Sequence, residues 1–261
     1  MTSLENKVAL VTGGGSGIGK ASAIQLAKQG ASICLIDINK IGAENSKKQI
    51  EQLGGQALVI SCDISKSDEV KNAIETVIHK WGRLDIVLAN AGIAGTLSAV
   101  EDMPLDEWEQ TLDINLKGTF LTVKHAIPRL KDQGGSIIIT SSVSGNRMFS
   151  QAGFSAYSTS KAGQIAFMKM AALELAQYKI RVNAICPGAI QTNIGESIHK
   201  ESDLAEIEVP ITFPEGDQPL EHGPGSPEQV ADLVEFLASD RSSHITGTEI
   251  YIDGGESLLR G

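Results

Sequence analysis

Val8-Ala9-Leu10-Val11-Thr12 is an unbroken apolar, β-branched run that ends at glycine, which predicts a strand buried on both faces. A glycine-rich turn follows, then Ala21, Ile24, Leu26 and Ala27 at helical spacing up to Gly30. The alternation repeats. Further strands are predicted at Ser32–Ile36, Ala57–Cys62, Asp85–Ala89, Ser136–Ser141, Ile180–Cys186 and Thr248–Ile252. Helices are predicted between them at 40–53, 66–81, 104–131, 153–178 and 227–238, the last opened by Ser226 as N-cap and Pro227 at the first position. Apolar strands separated by helices make βαβ units, and these build a parallel sheet covered on both faces. Seven strands without a repeat or linker make one domain over residues 1–261. From Gln191 to Ser226 the pattern dissolves into prolines and acids. An insert of that length in a compact domain is a binding loop or a disordered segment, and the expectation is a mobile lid over the site at 191–226.

The turns at the ends of these strands hold the chemistry. Thr12-Gly13-Gly14-Gly15-Ser16-Gly17-Ile18-Gly19 lies between a strand and a helix, the context that a dinucleotide fingerprint needs. Gly13 permits the tight turn, while Gly17 and Gly19 let backbone approach a pyrophosphate and the helix sit close to its strand. Ser16, Gly17 and Ile18 stand at the helix N-terminus, whose free N–H groups and partial positive charge suit phosphates. Without that context the same glycines are only a flexible turn. Asp37 ends the second strand, about 20 residues beyond the glycines, where a carboxylate accepts hydrogen bonds from ribose hydroxyls. It would also repel a 2′-phosphate, and Ser16 and Ile38 are neutral where a cation would serve NADP. NAD is therefore expected over NADP. Asp37 has a second reading, as the cap of the next helix. Asn90-Ala91-Gly92 closes the fourth strand, where ligands lie in parallel sheets. Asn115, between Ile114 and Leu116 in the long helix, reads equally as a solvated position or as a polar group with a task.

Tyr157 and Lys161 are four apart and share a helix face. A phenol titrates near about 10, too high for a base at neutral pH, and an adjacent ammonium is expected to move it down. Such a pair can take a proton from an alcohol or return one to an alkoxide. Ser142, at the end of the fifth strand, can donate a hydrogen bond to an oxygen that gains charge, with Ser141 and Ser144 as competitors for that place.

Composition narrows the picture. The 261 residues carry 22 basic and 32 acidic side chains, a net charge of 22 − 32 = −10. That balance disfavours nucleic acid and anionic membrane as partners, and an acidic carrier protein would meet an acidic chain. No apolar run reaches the length of a membrane span, and no secretory signal opens the chain, so a cytoplasmic location is expected. Cys34, Cys62 and Cys186 lie in or at the end of apolar runs and are expected as buried thiols. The five histidines show no metal-ligand spacing, so no metal site is expected.

Thr12-Gly13-x-x-x-Gly17-x-Gly19, Asn90-Ala91-Gly92, Asn115, Ser142, Tyr157-x-x-x-Lys161 and Pro187-Gly188, in this order, resemble the motif series of the classical short-chain dehydrogenase/reductases. The resemblance runs over essentially the whole chain. It implies a single-domain Rossmann-type fold, α/β, with a doubly wound seven-stranded parallel sheet flanked by helices. It also implies hydride transfer between a nicotinamide and an alcohol/carbonyl substrate. By this likeness Tyr157 is the acid/base, Lys161 holds the ribose, Ser142 binds the reacting oxygen and Asn115 holds a relay water. Asp63 and Ile64 would flank the adenine, Asn90 its ribose, and Pro187, Gly188, Ile190 and Thr192 the nicotinamide end. The family commonly forms homotetramers. Two alternatives remain: a nucleotide-sensing scaffold without chemistry, and a methyltransferase of related fold, which needs no Tyr/Lys pair.

Overall fold

The computed structural model describes residues 4–149, 151–200, 204–207, 213 and 216–260. Seven parallel strands form the main sheet: β1 (Val8–Thr12), β2 (Ser32–Asp37), β3 (Ala57–Ser61), β4 (Ile86–Ala89), β6 (Gly135–Thr140), β7 (Ile180–Pro187) and β9 (Glu249–Ile252), in the order β3-β2-β1-β4-β6-β7-β9. The seven-stranded, doubly wound sheet read from the sequence is therefore present. The chain leaves β1 toward one edge and, at β4, restarts on the other side of β1. That switch point opens a crevice at the carboxyl ends of the strands.

The uninterrupted apolar runs have a direct cause. Successive side chains of a strand point to opposite faces, and here both faces are covered. Leu10, Cys34, Ile36, Val87, Ile137, Ile139 and Val182 pack with α3 (Ser67–Trp81), α5 (Gly118–Leu130) and α6 (Ser155–Leu175) on one face. Their neighbours Ala9, Val11, Ile33, Leu35, Ile86, Leu88 and Ile138 pack with α1 (Gly17–Lys28), α2 (Lys40–Gln52) and α8 (Pro227–Ala238) on the other. All three cysteines are free and buried, as expected from their apolar runs.

Three features differ from the sequence reading. The long helix expected over 104–131 is α4 (Leu105–Leu112), a π-helical turn at Asp113–Lys117, and α5. The lid region expected to lack regular structure is in part built: a 3-10 turn at Asn193–Ser197, strand β8 (Ile198–Lys200) and the short helix α7 (Leu204–Ile207). Strand β8 pairs in parallel with β5 (Gly95–Leu97), so a second, two-stranded sheet clips this region to the loop after β4. The expected lid residues 201–203, 208–212 and 214–215 lie outside the described residues. Farther along, Ile190 bridges Gly225, and Leu220 N–H donates to the Gly254 carbonyl at 3.0 Å, tying the segment to the ends of β7 and β9. The last helix, α9 (Glu256–Arg260), places Glu256 where it accepts from Ala189 N–H at 2.9 Å.

Candidate active site

The loops at the carboxyl ends of the main sheet surround a cleft of about 840 Å³. Of the residues expected to bind cofactor or act in catalysis, all line it except Gly19 and Asn115. These two stand just behind the wall.

The glycine turn is held from both sides. Gly13 adopts φ +68°, which an L side chain rarely takes. Thr12 Oγ1 accepts from the N–H groups of Asn90 and Ala91 at 2.9 and 3.0 Å, and Asn90 Nδ2 donates back to the Thr12 carbonyl at 3.1 Å. A Cβ on Gly19 would meet the Gly13 carbonyl oxygen at 2.1 Å, so only glycine lets α1 start this close to the turn. Ser16 is the N-cap of α1, yet its side chain makes no capping bond, and the first turn holds no acid. The opening N–H groups of α1 therefore face the cleft without a side-chain partner, as an anionic ligand would require.

Asp37 accepts from Gly15 N–H and Asn39 N–H, each at 2.8 Å. The cap of α2 is Asn39, which accepts from Gly42 N–H at 3.1 Å, so the capping reading of Asp37 does not hold. Its carboxylate lines the cleft instead. Beyond it stand Asp63, which accepts from Ser65, and Ile64. At the opposite end Gly188 N–H donates to Ile252 at 3.1 Å, and the Ile190–Gly225 bridge continues that connection. A Cβ on Gly17 would lie 3.2 Å from the Thr192 side chain, so the glycine turn and the start of the lid region nearly touch.

Tyr157 and Lys161 lie one turn apart on α6, with Nζ 5.5 Å from the phenol ring centre. Phe154 meets the Tyr157 ring edge-on at 5.5 Å. Lys161 is buried and donates to the Thr140 carbonyl at 2.9 Å. An ammonium has three donors, so this bond leaves others for a ligand. The three serines now separate. Ser142 shares a hydrogen bond with the Tyr157 side chain. Ser141 Oγ turns away and donates to the Lys161 carbonyl at 2.9 Å. Ser144 gives its N–H to Ser142 Oγ at 3.1 Å and so orients that hydroxyl.

Asn115 is fully buried rather than solvated. Its Nδ2 donates to the Ile93 carbonyl and to Ser160 Oγ at 2.9 and 3.0 Å, and its Oδ1 accepts from Ile93 N–H at 2.9 Å. Ser160 Oγ in turn donates to the Tyr157 carbonyl at 2.7 Å. The π turn presents the Asn115 main-chain carbonyl to Thr119 Oγ1 and Gln164 Nε2 at 2.7 and 2.8 Å.

The electrostatics correct one expectation. Burial pushes the Tyr157 hydroxyl above its ordinary value, and the Ser142 hydrogen bond opposes it. The expected downward shift is absent because desolvation of the buried phenol outweighs the Ser142 hydrogen bond. Burial also pulls Lys161 down to about 8.

Gln151, in the stretch 146–153 that the sequence sets beside the substrate, and Ile194, Glu196 and Ile198, in the expected lid, also form walls, while Ile93 is a wall that sequence reasoning missed. Its one legible signal was position: Ile93 follows directly on Asn90-Ala91-Gly92, at the carboxyl end of a parallel strand.

A family model described as "Enoyl-(Acyl carrier protein) reductase" matches residues 13–257. The cyclohexanol dehydrogenase of an Acinetobacter species is 35% identical over 250 residues, 95% of this chain and 94% of that one. A 3-ketoacyl-ACP reductase from Sinorhizobium meliloti has the same fold, with TM-score 0.93 and 42% identity over 97% of this chain and all of that one. A 3-ketoacyl-(acyl-carrier-protein) reductase from Brucella melitensis, complexed with NADH, gives TM-score 0.86 and 32% identity over 98% of this chain and 100% of that chain. Among the described residues no helix is long and apolar enough to cross a membrane. Matched over nearly its whole length in sequence and in fold, the chain belongs to the classical short-chain dehydrogenase/reductase family of oxidoreductases.

Proposed function

We propose that this oxidoreductase moves a hydride between NAD(H) and a secondary alcohol or ketone, with Tyr157 as the acid/base. The observation that carries the reading is the Ser142–Tyr157 hydrogen bond at the wall of the cleft, with the Lys161 ammonium beside the same ring. Two hydroxyls that meet in one cleft can both address a single substrate oxygen.

NAD fits the remaining walls. The uncapped start of α1 suits the pyrophosphate, the Asp37 carboxylate the adenine-side ribose, and Asp63, Ile64 and Asn90 the adenosine. Lys161 would hold the second ribose, and Pro187, Gly188, Ile190 and Thr192 the nicotinamide end. A carboxylate at position 37 opposes a 2′-phosphate, and a relative of similar fold is complexed with NADH. When bound, the nicotinamide gives or takes the hydride.

The chain's own residues handle the proton and the charge. In reduction, Tyr157 hands its proton to the carbonyl oxygen as that oxygen becomes an alkoxide. Ser142 Oγ donates to the same oxygen and stabilises the charge that develops on it. Lys161 supplies positive charge beside the phenol once its proton has left. Asn115 holds the Ile93 backbone and Ser160 Oγ, and Ser160 Oγ in turn holds the Tyr157 carbonyl. A relay water would reach only the remaining lone pair of its Oδ1.

The test is a panel of ketones and secondary alcohols with NADH or NAD, followed by Tyr157→Phe. The variant should bind NADH as before and lose about 10² to 10⁴ in turnover, the range for a lost general acid. Unchanged turnover would refute the assignment.

A further inference from the structure

A buried carboxylate that takes no part in handling the proton stands behind the cleft wall at 187–190. Glu256 opens α9 and is 4% exposed, and no ion pair among the described residues includes it. A carboxylate withdrawn from water is costly unless hydrogen-bond donors replace the water. Two do so here. Ala189 N–H donates to Glu256 Oε2 at 2.9 Å, and Gln218 Nε2 donates to the same oxygen at 3.3 Å. Gln218 is also buried, and its Nε2 reaches the Ala189 carbonyl at 3.3 Å.

The peptide of Ala189 is therefore gripped from both ends. Glu256 takes its N–H, while Gln218 and the N–H of Gly225, at 3.0 Å, share its carbonyl. Glu256 is 67 positions from Ala189 and Gln218 is 29 positions from it, so two remote parts of the chain meet on one residue. Ala189 lines the cleft together with Pro187, Gly188 and Ile190, whereas Glu256 and Gln218 do not. The approach of the carboxylate depends on Gly188. A Cβ there would lie 2.5 Å from Glu256 Oε2 and 2.7 Å from Asp253 Cβ, so a side chain would push the grip apart. Asp253 in turn accepts from Gly255 N–H and Ser257 N–H at 3.1 and 2.9 Å, which fixes the turn that carries Glu256.

We propose that Glu256 and Gln218 are positioning residues, which set the main chain of 188–190 against the nicotinamide end of the cofactor without touching cofactor or substrate. The proposal rests on the reading of this wall as the nicotinamide end, and names what holds it in place. A hydrogen bond to an ionised acceptor is about twice as strong as a neutral one, so one carboxylate can fix a loop that its own sequence does not. Such fixing matters most at the reacting ring, where a misplacement of about 1 Å costs on the order of a hundredfold in rate.

NADH and ADP-ribose test the grip, because they share the adenosine, the pyrophosphate and the second ribose and differ in the nicotinamide. Their dissociation constants can be measured by titration calorimetry. Glu256→Ala should weaken NADH by about tenfold, one hydrogen bond to a charged group read as an equilibrium constant, and leave ADP-ribose within about twofold. Glu256→Gln keeps an oxygen for Ala189 N–H and should recover most of the NADH affinity. Gln218→Met leaves the Glu256 and Gly225 bonds in place and should weaken NADH by about threefold. Equal losses for the two ligands would mean a general loss of structure, and an unmoved NADH affinity would mean that the wall stands without the grip. A glutamine no better than alanine would assign the effect to charge. Each of these three results would overturn the proposal. If the unaltered protein binds NADH but exchanges hydride with no ketone or alcohol, hydride transfer fails, and the contrast between the two ligands still decides the proposal. Failure to bind NADH at all would remove both.

Discussion

Asn115 grips the backbone of Ile93 in both directions, giving Nδ2 to its carbonyl and taking its N–H on Oδ1, each at 2.9 Å. The amide side chain thus does for the loop after β4 what a neighbouring strand would do. Because Ile93 is a cleft wall, the grip sets the cleft width. Asn115→Ala leaves the Ile93 groups and Ser160 Oγ short of partners. It should lower stability by about 1–3 kcal/mol, the cost of a buried polar group without its bond. Turnover should fall as well. Thermal unfolding and steady-state kinetics on one preparation check both effects, and a variant with unchanged Tm would contradict the grip.

Ser141 and Ser142 are neighbours with different tasks, and substitution should separate them. Ser142→Ala removes a donor from the reacting oxygen and should cost about 10² to 10³ in kcat. Ser141→Ala removes its bond to the Lys161 carbonyl and should cost about 1 kcal/mol of stability with a smaller kinetic effect. The opposite pattern would exchange the two roles.

Asp37 should govern the choice of nucleotide. Ile38 beside it is exposed at the cleft edge, so an arginine fits there without repacking. Asp37→Ala/Ile38→Arg should raise the NADPH-to-NADH ratio of kcat/KM by about a hundredfold, the combined worth of one new charge-assisted hydrogen bond and one repulsion removed. An unmoved ratio would remove Asp37 from the ribose site.

The pH dependence follows from two opposite shifts. Tyr157 is held above its ordinary value by burial, so it keeps its proton through neutral pH and serves reduction there. Lys161 is lowered to about 8, so its charge is lost above that point. Ketone reduction should therefore be level below pH 8 and decline above it, while alcohol oxidation, which needs the phenolate, should rise with pH. The folded protein binds this lysine's proton less tightly than the unfolded chain does. Between about 8 and the ordinary lysine value of 10.5, the group therefore adds stability as pH rises, and below 8 its burial cost is fully felt. Lys161→Met should accordingly lose activity without a drop in Tm at pH 7. A large drop would mean that the bond to Thr140 outweighs the burial cost.

Much of the fold was legible because a parallel sheet covered on both faces leaves continuous apolar runs such as Val8–Thr12 and Ile137–Ile139, which helical spacing cannot produce. The glycine turn, Asp37, Ser142 and the Tyr157/Lys161 pair were legible because each ends or follows a strand that could be placed. What escaped depends on partners distant in sequence. The π turn at Asp113–Lys117 is fastened by Gln164, 49 positions from Asn115. Strands β5 and β8 are three residues each, too short for a period, and exist through each other. The direction of the Tyr157 shift is a matter of burial, which a Tyr/Lys spacing does not reveal. Glu196 was one acid among many until the fold set it in the cleft wall.

The central claim concerns two hydrogens with different origins, one bound for carbon and the other for oxygen. NADH deuterated at both C4 positions, offered with an accepted ketone in ordinary water, separates them by mass spectrometry of the alcohol. The account predicts one deuterium on the carbinol carbon for each NADH consumed, and no labelled alcohol from Tyr157→Phe beyond a trace. An alcohol whose carbinol hydrogen comes from water, or full labelling by the phenylalanine variant, would contradict it.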